Sequence, residues 1–134
     1  MWTTLESIVS RFPRHDPNGS YEGGAVVETA PLRSDWDKRM EELEGLRHTQ
    51  DDWDGQGATA PSSGHLDSAI TLAQFLLRHG VDAPSCVVPG VNGTVIFEWQ
   101  GENGSYLEIE ITAPNRVEGY SIIPGKPTEY WTLQ

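Results

Sequence analysis

The chain has 134 residues, with 20 acidic and 9 basic side chains and a formal net charge of −11. A surface of that sign repels phosphate backbones, so direct nucleic-acid binding is not expected and a basic protein partner is the natural complement. No stretch approaches the roughly 18 consecutive apolar residues that a membrane-spanning helix needs, and the length suits one domain, residues 1–134, with a core that needs no disulfide or metal.

Cys86 is the single cysteine, which rules out an internal disulfide and favours a reducing compartment, so a cytoplasmic location is expected. The opening MWTTLESIVSRF has neither a basic leader nor an unbroken apolar run, and no signal peptide is expected there. Asn18, Asn92 and Asn103 each precede glycine and read as turns.

Trp2, Leu5, Val9 and Phe12 fall at helical spacing, Thr3 and Glu6 fit a capping box, and Pro13 ends the run. Residues 14 to 33 read mostly as loop, with AVVETA (25–30) as a short strand, so residues 1–33 form a helix and loop arm. The helical part, 34–80, follows. Ser34 is placed to cap a helix with Asp37 at its third position, and Trp36, Met40, Leu43 and Leu46 make one apolar stripe. Lys38 and Glu42 stand at ion-pair spacing.

The stretch DDWDGQG (51–57) interrupts this helical part. As a calcium loop starting at Asp52 it supplies Asp54, Gln56 and Gly57 at the third, fifth and sixth positions. Ser63 then occupies the twelfth, where a bidentate glutamate is required. As an acid/base pair, Asp52 and Asp54 have only His48 and His65 nearby in sequence. The reading that fits best is a structural turn of Asp52, Trp53, Asp54, Gly55 and Gly57. Trp53 then plugs the core between two helices while the aspartates satisfy backbone N–H groups.

A second helix is expected from about Ser63 to His79. Leu66, Ala69, Ile70, Ala73, Leu76 and Leu77 form its apolar face, Leu72 and Phe75 a second stripe, and Ser62 or Ser63 its cap. Asp67 suits the positive end of its dipole, and His79-Gly80 is a stop signal.

From residue 84 to 134 the period changes to two. SCVV (85–88), TVIFEW (94–99), SYLEIEIT (105–112), VEGYSII (117–123) and TEYWTL (128–133) are strands separated by Gly, Pro and Asn. The fold class is therefore α+β, with two or three N-terminal helices packed on one face of a four- to five-stranded antiparallel meander. The turn GENGS (101–105) reads as a type I turn closed by Gly104. That turn pairs Gln100 with Tyr106, Trp99 with Leu107, Phe97 with Ile109, Glu98 with Glu108 and Ile96 with Glu110. In the fourth strand either Val117, Ser121 and Ile123 or Glu118, Tyr120 and Ile122 face the core.

Like charges directly opposite are unfavourable by a few tenths of a kcal/mol. Glu98, Glu108 and Glu110, with Tyr106, therefore read as an acidic partner-binding strip. The bland alternative is a solvated face neutralised by lysine or arginine of the same chain.

The segment DDWDGQGATAPSSGHLDSAITLAQFL and the later VNGTVIFEW resemble a group of small bacterial proteins of unknown function. Their pattern is Asn-Trp-Asp-Gly-aromatic-Gly-Ala before a helix, then a Gly-turn and a strand ending in Leu-Glu-Trp. Asp52, Gln56 and Phe97 stand here for the Asn, the aromatic and the Leu. The resemblance covers roughly residues 36 to 125 and implies a bacterial or phage origin, with no activity attached.

Other chemistry is thin. The four histidines are scattered, Cys86 reads as a structural thiol rather than a nucleophile, and no phosphate loop or zinc spacing occurs. The expectation is a non-enzymatic acidic protein-binding module without cofactor or metal, in its sharper form an antitoxin- or immunity-type protein that masks a basic partner. Its rivals are an accessory subunit of a larger bacterial complex, a calcium-dependent module or enzyme using Asp52 and Asp54, and a nucleic-acid mimic.

Overall fold

The computed structural model describes Val9, residues 11–14 and residues 30–133. The expected first helix lies mostly outside them, as does AVVETA apart from Ala30. Val9 and Phe12 are described. Both are buried, and the Phe12 N–H donates to the Val9 carbonyl at 3.1 Å in a tight turn.

Helix α1 spans Ala30–Gly45, beginning four residues before the expected Ser34 cap. Pro31 lies in its first turn, where a missing N–H costs nothing, so the helix runs through Ser34. Glu42 pairs with Arg39 at 3.1 Å rather than with Lys38. Trp36 and Leu43 are fully buried, and Met40 and Leu46 pack against the same core.

Helix α2, Ser63–Arg78, starts where the sequence places it. Ser62 caps it by accepting the His65 N–H at 3.1 Å. It ends in a Schellman motif: Gly80 takes a φ of +74°, its N–H donates to Leu77 (3.1 Å), and the Val81 N–H donates to Leu76 (3.0 Å). Asp67 lies beyond the first helical turn and pairs with Arg47 at 2.7 Å instead of serving the dipole. Leu66, Leu72 and Leu76 are almost wholly buried, worth about 1.5–3 kcal/mol each in removed apolar surface.

The sheet follows in strands β1 (Cys86–Pro89), β2 (Val95–Gln100), β3 (Tyr106–Ala113), β4 (Arg116–Ile122) and β5 (Glu129–Leu133). All neighbours are antiparallel in the order β1-β2-β3-β4-β5, a simple meander. The fold is α+β, with helices before strands. The inward residues Val87, Val95, Phe97, Trp99, Leu107, Ile109, Ile111 and Val117 share one hydrophobic cluster with α1 and α2.

Register across β2 and β3 is as expected, with Glu98 opposite Glu108 and Ile96 opposite Glu110. The turn itself differs. Asn103 (φ 60°) and Gly104 (φ 82°) are both left-handed, and the Ser105 N–H donates to the Glu102 carbonyl at 3.2 Å. That is the primed turn which matches strand twist, rather than the unprimed form.

In β4, Val117 faces the core, which settles the orientation left open by the sequence. Ile123 falls past the strand and is 48% exposed. Gly119 sits opposite Trp131, whose ring lies over it: a Cβ at Gly119 would stand 2.2 Å from Trp131 Cζ2. The indole fills the space that a side chain on β4 would take.

Gly119→Ala therefore forces the ring aside. The expected loss is about 1–3 kcal/mol, read from urea unfolding midpoints. Most of it should disappear in a Trp131→Leu background, and an equal loss in both backgrounds would contradict the packing described.

Candidate functional site

The DDWDGQG loop is built from carboxylates aimed at its own backbone. Asp54 Oδ1 accepts the Gln56 N–H (2.8 Å) and the Ala58 N–H (3.0 Å). Asp52 Oδ1 accepts the Gly57 N–H (2.7 Å), and Asp51 Oδ1 the Ala60 N–H (2.9 Å). The amide bonds hold the Asp54 carboxyl below its ordinary value of 3.8. Asp52 (φ 66°), Gly55 (φ 73°) and Gly57 (φ 87°) supply the left-handed turns. Beyond the loop, the Thr59 N–H donates to Val91 at 2.9 Å and ties this segment to the β1–β2 connection.

Trp53 corrects an expectation: it is 38% exposed, not a plug in the core. Its indole N–H donates to the Thr59 carbonyl at 3.2 Å, closing the loop on itself. The core between the helices is filled by Trp36 and Leu43 instead. His65 is turned to Ser62, its hydrogen-bond partner. Among the described residues no group of three or more His, Cys, Asp or Glu side chains is placed to hold a metal ion.

The other predicted cluster lies on the outer face of the sheet. Pairing aligns Cys86, Glu98, Glu108, Tyr120 and Tyr130 in one row across all five strands. Glu98 Oε1 accepts from the Tyr106 hydroxyl, and Glu98 Oε2 from the Cys86 thiol at 2.9 Å. Glu108 Oε1 meets the Tyr106 hydroxyl at 2.9 Å and the Tyr120 hydroxyl at 3.2 Å. Glu110 Oε2 accepts from Thr94 Oγ1 at 2.6 Å. The four residues read from sequence, Glu98, Tyr106, Glu108 and Glu110, thus belong to one half-buried surface.

A phenol carries one proton. Tyr106 stands between two carboxylates that face each other, and its single hydrogen is shared between them. The Cys86 and Tyr106 hydrogen bonds hold Glu98 below its usual 4.5. Burial first, then the neighbouring carboxylates, push the Tyr106 hydroxyl well up and the Cys86 thiol up to about 11.

Sequence reasoning missed Glu118, Tyr120 and Tyr130. The Tyr106 and Tyr120 rings lie 5.9 Å apart, as do those of Tyr120 and Tyr130. Glu108, Glu110, Glu118, Tyr120, Tyr130 and Thr132 line an open basin of about 480 Å³. Arg116 approaches Glu118 at 3.9 Å. A larger recess of about 590 Å³ at the end of the sheet is walled mainly by apolar side chains such as Phe12, Trp99, Leu107 and Ile122. It also carries Asp82, Glu102 and the Arg11–Glu129 ion pair.

No family model, curated protein or solved structure matches the chain.

Tyr106→Phe leaves Glu98 and Glu108 opposed without their shared proton, at a cost of about 1–2 kcal/mol near neutral pH. Because the folded Glu98 is depressed, its contribution is present above 4.5 and is lost as pH falls through the lower folded value. The variant's deficit should therefore shrink on acidification, and a deficit independent of pH would refute the assignment. Alkylation of Cys86 at pH 8 should run about tenfold slower than in the unfolded chain, because a rise from 9.0 to about 11 depletes the thiolate and the greater nucleophilicity of the more basic thiolate restores only part of the rate. Glu98→Gln should recover part of that rate.

Proposed function

We propose that the chain is a non-enzymatic acidic protein-binding module that meets a basic partner with the outer face of its sheet. One observation carries the reading: carboxylates and tyrosines gather on one open face, where Glu98, Glu108 and Glu110 are held by neutral hydroxyl and thiol donors and Arg116 approaches Glu118 at 3.9 Å. Neutral donors orient a carboxylate without cancelling its charge, so the face keeps a negative potential for an incoming cation. Tyrosine beside charge is common at recognition surfaces. In its sharper form the module is an antitoxin- or immunity-type protein that masks its partner. A bacterial cytoplasmic setting accords with the unpaired Cys86 and with the resemblance noted above.

A second reading, an accessory subunit docking through apolar contacts, draws on Ile122 (38% exposed), Ile123 (48%) and Tyr130 (78%). Salt separates the two. Charge masking weakens steeply with ionic strength, whereas apolar docking does not.

The test compares two triple variants with equal charge change. Glu108→Gln, Glu110→Gln and Glu118→Gln alter the basin, whereas Asp35→Asn, Asp37→Asn and Glu41→Gln alter exposed positions of α1. Retention on immobilised cationic protein is read against rising salt. The basin variant should lose about tenfold in affinity and the α1 variant less than about twofold. Equal losses would mean that only diffuse charge is sensed, and the proposal would fail.

A further inference from the structure

The two edges of the sheet are treated differently. β1 is four residues long and ends at Pro89, and α1 lies against it. Arg39 Nη1 donates to the carbonyls of Ser85 (2.5 Å) and Pro84 (3.3 Å), covering the entry to that edge. Such devices keep an edge strand from pairing with another chain.

β5 is barer: Arg11 pairs with Glu129 at its first residue, and Phe12 meets the Trp131 ring on the inner face. Glu129–Leu133 contains no proline, lysine or glycine, and it pairs with β4 in unbroken register from Ser121↔Glu129 to Val117↔Leu133. Among the described residues no backbone hydrogen bond or bridge reaches its other side. Every second residue there presents its N–H and C=O outward, and a β-strand is what satisfies such a row. The two faces of β5 state what that strand must carry. Tyr130 and Thr132 are exposed on the acidic outer face, and Trp131 and Leu133 are half-buried on the apolar inner face.

We infer that β5 accepts an extended segment of the basic partner as a sixth strand, with Lys or Arg alternating with apolar residues. This rests on the reading of the outer face as the partner surface. The cationic side chains lie beside Tyr130 and Thr132. Glu118 stands directly across from Thr132 on β4. A sixth strand would run about 10 Å from β4, a gap that a lysine or arginine and a glutamate side chain span together. The ring of Tyr130 offers a cation–π contact at the same place. Apolar side chains in the alternate positions extend the cover over Trp131 and Leu133. A second copy of the chain is the poorer occupant. It brings another net charge of −11 to the edge and sets one acidic face beside another.

Three synthetic peptides test this: one alternating lysine and valine, one of the same composition in two blocks, and the alternating one with alternate backbone nitrogens methylated. Titration calorimetry at low salt gives affinity, and amide exchange reports protection at Tyr130, Trp131 and Thr132. The alternating peptide should bind about tenfold tighter than either control, because the block peptide places charges on the wrong face and the methylated one lacks the donors to complete the ladder, and it alone should slow exchange in β5. If the methylated peptide binds within about twofold of its parent, strand addition is wrong while the acidic face stands. If the peptides fail and cationic protein still responds to the basin variant, the edge is again excluded. If neither binds, both readings fall. A concentration-dependent dimer that protects β5 would assign the edge to a second copy and overturn the inference.

Discussion

Asn103 and Gly104, both at positive φ, make the tight reversal that pairs Gln100 with Tyr106 and so sets every pair between β2 and β3. A slip of one residue would turn Val95, Phe97 and Trp99 out to water and bring Ile96 and Glu98 into the core. The hydrophobic core and the acidic face are therefore two consequences of one register. The same slip would separate Glu98 from both Tyr106 and Cys86, so the hydrogen-bond network on the outside depends on the packing inside.

Two tryptophans fasten the helical layer to this sheet by a shared device. The Trp36 indole of α1 donates to the Val81 carbonyl at 2.8 Å, and the Trp99 indole of β2 donates to the Asp82 carbonyl at 2.8 Å. These consecutive carbonyls belong to the segment released by the Gly80 turn at the end of α2. A buried indole N–H without an acceptor would cost about 1–3 kcal/mol. The Schellman ending thus does more than stop a helix. It presents the backbone that satisfies one indole from each layer and fixes where α1 and β2 meet.

What could be read from the sequence divides along physical lines. The period-two strands, the meander and the pairing of Glu98 with Glu108 were legible, because alternation and a short turn are local signals. Helix α2 was legible from its stripe and its caps. The start of α1 was not, because the capping pattern at Ser34 hid a helix that Pro31 permits to begin earlier. The orientation of β4 was obscured because its inward positions include Gly119 and Ser121, which look unlike a core. Gly119 is small because Trp131 from β5 occupies its space, a contact between neighbouring strands that no single-strand pattern shows. With that orientation unknown, Glu118, Tyr120 and Tyr130 could not be added to the face. Trp53 misled for a related reason. A tryptophan among helices suggests a core plug, but here its N–H serves the loop's own Thr59 carbonyl.

The acidic residues fall into populations that the net charge of −11 conceals. Asp51, Asp52 and Asp54 are used by backbone N–H groups within one loop. On the helical side, Arg47 meets both Glu44 and Asp67, and Arg39 meets Glu42, so those charges are locally compensated. On the sheet, Glu98, Glu108 and Glu110 are oriented by Tyr106, Tyr120, Cys86 and Thr94, none of which brings a positive charge. A guanidinium in those positions would remove the repulsion and the potential together. Phenol, thiol and hydroxyl donors ease the repulsion and leave the potential in place. Glu118, which Arg116 approaches at 3.9 Å, is the exception on that face.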